Sequence, residues 1–315
     1  MQKQPVVILT GPTAVGKTQL SLTLAKRIGG EIISADSMQV YHHMDIGSAK
    51  IKPAQMNGIP HYLIDVLEPH EAFDVVKFQM MAKESMEIIR EKGKIPIITG
   101  GTGFYIQALL YDIQFDTQNP SEEYRQGLTM LAAEKGAAYL HQMLQAVDEP
   151  SAAAIPPENV KRVIRALEYY HLTGEKISEH NKRERAKESP YRYCYFVLND
   201  VRDKLYAQID KRVDHMLSAG LVEEVRHLQE MGCDRNMVSM QGLGYKEILA
   251  YLAGELTLPE AISQIKRDTR HFAKRQLTWF RRERDVIWIN REEYDGEEEI
   301  LFVMEEKLRE RKIIH

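Results

Sequence analysis

Residues 11–18 read Gly-Pro-Thr-Ala-Val-Gly-Lys-Thr, a GxxxxGK[ST] string. It stands between a short apolar run, PVVILT at 5–10, and a segment whose apolar residues Leu20, Leu24 and Ile28 recur at helical spacing. Glycines at the ends of such a loop let successive N–H groups converge on an anion, and the helix that follows adds the positive end of its dipole. A strand, an anion loop and a helix in that order demand a parallel sheet covered on both faces.

The rest of the chain supplies more strands and helices in alternation. EIISA (31–35) and IPIIT (95–99, after a helical stretch at 77–92) read as strands, and HYLIDV (61–66) is a further candidate. Near residue 115 the pattern changes. Residues 121–145 and 158–173 read as helices with no strand between them, and a polar, charge-dense stretch at 174–190 follows. A strand at 191–198, helices at 202–218, 221–231, 244–253 and 260–284, and a last short strand at 286–289 then return to the first pattern; the acidic end reads as a solvated terminal helix. The expected fold is α/β, a P-loop parallel sheet flanked by helices. Its first part is 1–115, a helical insertion domain spans 116–188, and 189–315 completes the core.

Composition narrows the class. No stretch approaches eighteen consecutive apolar residues, so no membrane span is expected, and the apolar run near the start is too short for a signal peptide. Two cysteines, Cys194 and Cys233, are too few for a disulfide framework or a four-cysteine zinc site, which makes a cytoplasmic location the expectation. The net charge of −4 argues against a polyanion partner only until it is divided. Residues 290–315 hold nine acids and five bases, whereas 266–284 hold eight Lys/Arg against Asp268 and Glu283. A polyanion meets local charge, not the mean.

Three loops at strand ends form the candidate site. In the first, Gly11, Pro12, Thr13, Ala14, Val15 and Gly16 cradle phosphate, Lys17 reaches the leaving or transferred group, and the Thr18 hydroxyl suits Mg²⁺. The loop signals phosphate, not a nucleotide: no NKxD-like string is present, and HYLID (61–65) is the nearest thing to a strand ending in a metal-binding carboxylate. The second loop is Asp36-Ser37-Met38-Gln39-Val40-Tyr41. Asp36 reads either as a helix cap or magnesium ligand, or as a general base, with Gln39 offering an amide to a purine edge. The third, Gly100-Gly101-Thr102-Gly103, is either a tight turn or a second glycine wall with the Thr102 hydroxyl as donor.

Two helices carry one-sided positive charge. On 260–284, Ile262, Ile265, Thr269, Phe272, Ala273 and Phe280 form the apolar stripe expected in the core, and Arg267, Arg270, Lys274, Arg275, Arg281 and Arg282 lie on the other side. On 158–173, Lys161, Arg162 and Arg165 lie away from Val160, Val163, Ile164 and Leu167. Such faces fit a phosphate backbone better than a membrane surface. Arg212, at the margin of the stripe Leu205, Ile209, Val213 and Met216, reads equally as a surface arginine or an active-site one.

With these residues in hand, the chain closely resembles the tRNA dimethylallyltransferase (tRNA isopentenyltransferase) family. GPTAVGKT (11–18), DSMQVYHHMDIGSAK (36–50), IPHYLID (59–65), GGTGFYIQAL (100–109), RVIRALE (162–168), IDKRVDHML (209–217), GLGYKEI (242–248) and TRHFAKRQLTWFR (269–281) match its blocks in order. Val15, where that family more often has Ser, and His42, where a base is usual, are the main departures. The resemblance implies transfer of a dimethylallyl group from dimethylallyl diphosphate to N6 of adenosine 37, next to the anticodon, releasing diphosphate. It implies Asp36 as the base, and Lys17, Thr18 with Mg²⁺, Thr102 and Arg212 around the diphosphate. Asp36, Ser37, Met38, Gln39, Thr102, Arg125, Lys161, Arg162, Arg165, Arg270, Lys274 and Arg281 are implied on the tRNA side. The expected partners are the tRNA anticodon stem-loop and dimethylallyl diphosphate, with no membrane, and a monomer is the expected state. The alternatives are an ATP-dependent P-loop kinase or phosphotransferase, or isopentenyl transfer to a free adenine nucleotide, which needs neither basic helix nor insertion.

Overall fold

The computed structural model describes residues 3–115 and 122–315. By compactness the chain divides into Met1–Leu110 with Pro190–His315, and Tyr111–Ser189.

The first unit is built on six parallel strands: β1 (Gln4–Thr10), β2 (Gly30–Ala35), β3 (His61–Tyr62), β4 (Ile95–Gly100), β5 (Tyr191–Asn199) and β6 (Val286–Asn290). Their order across the sheet is β3-β2-β4-β1-β5-β6. The interior strands are buried along most of their length, as near-continuous Val/Ile/Leu runs in a two-sided sheet must be. Helices α1 (Lys17–Ile28), α2 (Val75–Glu91) and α3 (Gly103–Leu110) follow the early strands. The register matters for function: Thr10 pairs with Gly100, and Gly100 with Ala35. The loops that leave these three residues therefore emerge side by side from the carboxyl-terminal end of the sheet, where open α/β sheets place their ligands.

HYLIDV forms a strand only at His61–Tyr62, because Leu63 (φ 60°) and Asp65 (φ 59°) turn the chain into the left-handed region.

Past β5, helices α9 (Arg202–Ser218), α10 (Leu221–Glu230), α11 (Tyr245–Leu252) and α12 (Leu258–Phe280) pack in succession; numbers α4 to α8 belong to the second unit, described below. α12 starts at Leu258, where Thr257 and Glu260 form a reciprocal cap. α13 (Glu297–Glu310) departs from expectation: although acidic, it buries Ile300, Leu301, Met304 and Leu308 in the same core as Leu20, Leu24 and Phe196. Its acids stay outside, with Glu298 and Glu305 held by Arg27 of α1.

The second unit is helical: α4 (Glu122–Lys135), α5 (Ala137–Val147), α6 (Glu149–Ala154), α7 (Val160–Thr173) and α8 (Ile177–Ala186). Gly136 (φ 86°) breaks the helix expected at 121–145. Leu128, Leu140, Leu144, Val163, Ile164 and Leu167 form a core of its own. The polar stretch at 174–190 contains α8, held by polar contacts: Ser178 N donates to Asp148 Oδ2 (3.0 Å) and Gln114 N to Glu184 Oε2 (3.0 Å). No described helix is long and apolar enough to cross a membrane.

Candidate functional site

The three adjacent loops enclose a cavity of roughly 450 Å³. Thr13, Ala14, Gly16, Lys17 and Thr18 line it from the phosphate loop, Asp36 and Gln39 from the second loop, and Gly100 and Gly101 from the third. Gly11 and Val15 are buried beneath it. Gly11 (φ 149°) passes so close to β5 that a Cβ there would lie 2.2 Å from Leu198 O, so the loop's first turn requires glycine.

Lys17 Nζ donates to Gly11 O (2.9 Å) and Pro12 O (2.7 Å), which curls the side chain back over its own loop. Burial, with the neighbouring Arg212, pulls its pKa down to about 7 against the opposing pull of Asp36. Arg212 reaches the same cavity from α9, its Nη2 3.5 Å from Ser48 O. Burial likewise lowers its pKa, and Asp36 opposes this. Two desolvated cations facing one space, with one carboxylate between them in charge, make a site that gains by taking up an anion. Arg212 is thus a cavity residue, not a surface arginine.

Asp36 caps its own turn and keeps one oxygen open. Its Oδ1 accepts from Met38 N (2.8 Å) and Gln39 N (3.3 Å), capping the turn, and its other oxygen accepts no hydrogen bond from the described residues. Gln39 lines the cavity with its amide already engaged: Nε2 donates to Ser48 O (3.3 Å) and Ala49 O (3.4 Å), and Ser34 Oγ lies 3.4 Å from Oε1. It is therefore a brace for loop 44–50 before it is a free purine reader. Ser37 and Met38 lie outside the cavity wall, half-buried. So does Thr102, whose carbonyl accepts from Tyr105 N (3.0 Å) and Ile106 N (3.2 Å) at the start of α3.

Asp65, in the segment nearest to a metal-binding strand end, is also taken: Lys50 Nζ lies 2.8 Å from its Oδ1, and His42 Nδ1 3.2 Å from the same oxygen. Lys50 and His42 hold its carboxyl below the usual range, and His42 is a partner to Asp65 rather than an open basic contact. Among the described residues no three His, Cys, Asp or Glu side chains converge to hold a metal.

Several cavity residues carry no local signal in the sequence. Gln208 and Lys211 come from α9, and Ile32, Ile51 and Ile64 with His61 form an apolar wall. His61 Nδ1 sits 2.8 Å from Ile59 O, and burial lowers its pKa, so the ring is neutral with Nε2 as its remaining acceptor. Phe272, expected in the core stripe of α12, lines the cavity instead. Gln276, on the next turn, is buried and joins two loops: its Oε1 accepts from Thr13 N (2.9 Å) and its Nε2 donates to Gly101 O (2.9 Å). Arg291, just after β6, donates to Val15 O (3.3 Å).

The basic residues divide by partner. Lys274 on α12 and Arg281 at its C-cap are exposed, but Arg270 grips both oxygens of Asp210 (2.6 and 2.9 Å). In the second unit Lys161, Arg162 and Arg165 are exposed on α7, whereas Arg125 Nε stands 2.7 Å from Oε1 of the buried Glu168. Arg270 and Arg125 are thus each paired with a carboxylate within the protein.

The family profile described as IPP transferase matches residues 39–283. The chain is 60% identical over 311 residues to a tRNA dimethylallyltransferase of Lachnoclostridium phytofermentans, with 99% of each chain covered. It is similar to the solved structure of the tRNA isopentenylpyrophosphate transferase of Bacillus halodurans (42% identity, TM-score 0.73, covering 99% of this chain and 98% of that one). It is also similar to a eukaryotic dimethylallyltransferase solved acting on tRNA (29% identity, TM-score 0.78, covering 91% of this chain and 74% of that one).

Proposed function

The chain belongs to the IPP transferase family, and from that membership we propose that it transfers a dimethylallyl group from dimethylallyl diphosphate to N6 of adenosine 37 of tRNA, releasing diphosphate. One observation carries the chemistry: Lys17, Arg212 and Asp36 share a single cavity with a wall of isoleucines. The cations and the loop N–H groups suit the leaving diphosphate, and Ile32, Ile51 and Ile64 suit the apolar allyl group.

An exocyclic adenine amine is a weak nucleophile. As the N6–C1 bond forms and the C1–O bond breaks, the unengaged oxygen of Asp36 takes the N6 proton while the electron pair leaves with diphosphate. Charge developing on that diphosphate is met by Lys17, Arg212 and the N–H groups following Thr13. The target base enters the cavity extruded from its stack. The stem and loop phosphates are gripped by Lys274 and Arg281 of α12 and by Lys161, Arg162 and Arg165 of α7, a set the exposure of these side chains supports.

Mg²⁺ fits here as an ion that arrives with the diphosphate. Thr18 is exposed and lines the cavity, and Asp36 is the nearby carboxylate, a donor set suited to a hydrated, phosphate-borne ion rather than to an all-protein cage. When bound it neutralises part of the leaving group's charge.

Incubation with dimethylallyl diphosphate, Mg²⁺ and unmodified tRNA, followed by nucleoside mass analysis, yields an adenosine heavier by one dimethylallyl group. Phosphoryl transfer from ATP in its place would overturn the proposal. Asp36→Ala lowers turnover by roughly 10²–10⁴-fold with RNA affinity unchanged; undiminished turnover removes Asp36 as the base.

A further inference from the structure

α12 faces two ways. Lys274 lies on its exposed side and Arg281 at its C-cap, while Ala273, Gln276 and Phe280 are buried. The buried side meets the phosphate site through Gln276. Its amide is used at both ends, as acceptor for Thr13 N and donor to Gly101 O, each at 2.9 Å. One planar group thus sets the separation between the phosphate loop and the glycine loop that follows β4, and both loops line the cavity. The fit leaves no slack, since a Cβ on Gly101 would lie 2.2 Å from Gln276 Nε2. One turn on, Trp279 seals the same loop, with its ring atoms 2.2–2.9 Å from where a Cβ on Gly103 would be.

We propose that Gln276 is a positioning residue for the diphosphate site: its amide clamps the two loops at the spacing that aims the anion-binding N–H groups, and it does so from the helix that carries the basic face. The inference rests on the reading of this cavity as a diphosphate site. Thr13 N–H is engaged by protein, so the N–H groups after it and Lys17 are left for the anion. A misplacement near one ångström is enough to cost about a hundredfold in rate, and a leucine of similar volume supplies neither the acceptor nor the donor.

The test uses Gln276→Leu and Gln276→Glu in the full chain. Calorimetry reads the binding of inorganic diphosphate, filter binding reads unmodified tRNA, and steady-state kinetics reads transfer. Gln276→Leu weakens diphosphate binding and lowers kcat/KM for dimethylallyl diphosphate by about 10–100-fold, with tRNA affinity within about twofold of the parent. Gln276→Glu gives the signature that a merely structural role would not. Ionised, it keeps the acceptor for Thr13 N but sets an oxygen against Gly101 O; protonated, it restores the donor. Its activity relative to the parent at each pH therefore rises as pH falls through the pKa of the new carboxyl.

Parent-like diphosphate binding in Gln276→Leu overturns the proposal, as does equal loss of diphosphate and tRNA affinity, or a flat activity ratio for Gln276→Glu. Should Gln276→Leu fail to fold, the pH-dependent ratio for Gln276→Glu decides alone. If the parent itself binds no inorganic diphosphate, the diphosphate reading of the cavity fails. If it binds diphosphate but transfers no dimethylallyl group, the reaction fails and the clamp is still read by binding.

Discussion

Lys17 is the residue whose charge most depends on what the cavity holds. Burial above all holds its pKa at about 7. A bound diphosphate favours the ammonium form and raises that pKa, so binding takes up a proton wherever the free residue is neutral. Uptake is therefore about half a proton at pH 7 and close to one at pH 8. Above pH 7 affinity falls by up to about tenfold per unit while the bound form stays protonated. Calorimetry of inorganic diphosphate in two buffers of different ionisation enthalpy measures the uptake, with Lys17→Met as the reference that subtracts protons exchanged by diphosphate itself; no difference between parent and variant at pH 8 would show Lys17 already charged before the anion binds. The lysine itself was legible in the sequence because its loop is local and continuous. Its depressed pKa was not, since the burial that chiefly causes it and the nearby Arg212 both come from segments far along the chain.

At the scale of elements, α12 carries a basic face on one side and cavity residues on the other. Periodicity located the helix and its basic side, but took Phe272 for core and passed over Gln276, because a stripe drawn on hydrophobicity has no place for a buried amide. It also counted Arg270 with the free cations, although Asp210 of α9 holds it. Replacing Lys274 and Arg281 together with alanine lowers the slope of log affinity for tRNA against log salt by about two. Adding Arg270→Ala changes it by less than one further unit; a full further unit would mean that Arg270 leaves Asp210 for the RNA. α13 teaches the converse. Its nine-acid neighbourhood suggested a solvated helix, yet Ile300, Leu301, Met304 and Leu308 recur at helical spacing and are buried. Net charge described the outer face alone.

For the whole molecule, division into two units separates the cavity proposed for diphosphate from one of the two basic faces proposed for RNA. The cavity lies wholly within the unit formed by Met1–Leu110 and Pro190–His315, whereas α7 belongs to Tyr111–Ser189, which has its own apolar core. Replacing Lys161, Arg162 and Arg165 with alanine lowers tRNA affinity by roughly tenfold or more. Binding of inorganic diphosphate is unchanged, and both are measured on the full chain. Unaltered tRNA affinity would remove α7 from the RNA contact, and lost diphosphate binding would mean that the two units share the anion site.

The sequence by itself determined the local devices: the anion loop and its helix, the apolar strands, the basic faces and the helical character of the insertion. Each is written within ten to twenty consecutive residues, over which backbone propensity and side-chain period act directly. Tertiary structure alone decided that Thr10, Ala35 and Gly100 end in one row, that Arg212 turns into the cavity, and that Gln276 clamps two of its loops. Those facts depend on strand order and on packing between distant segments. There a buried amide or guanidinium takes its role from its partners, which no spacing along the chain records.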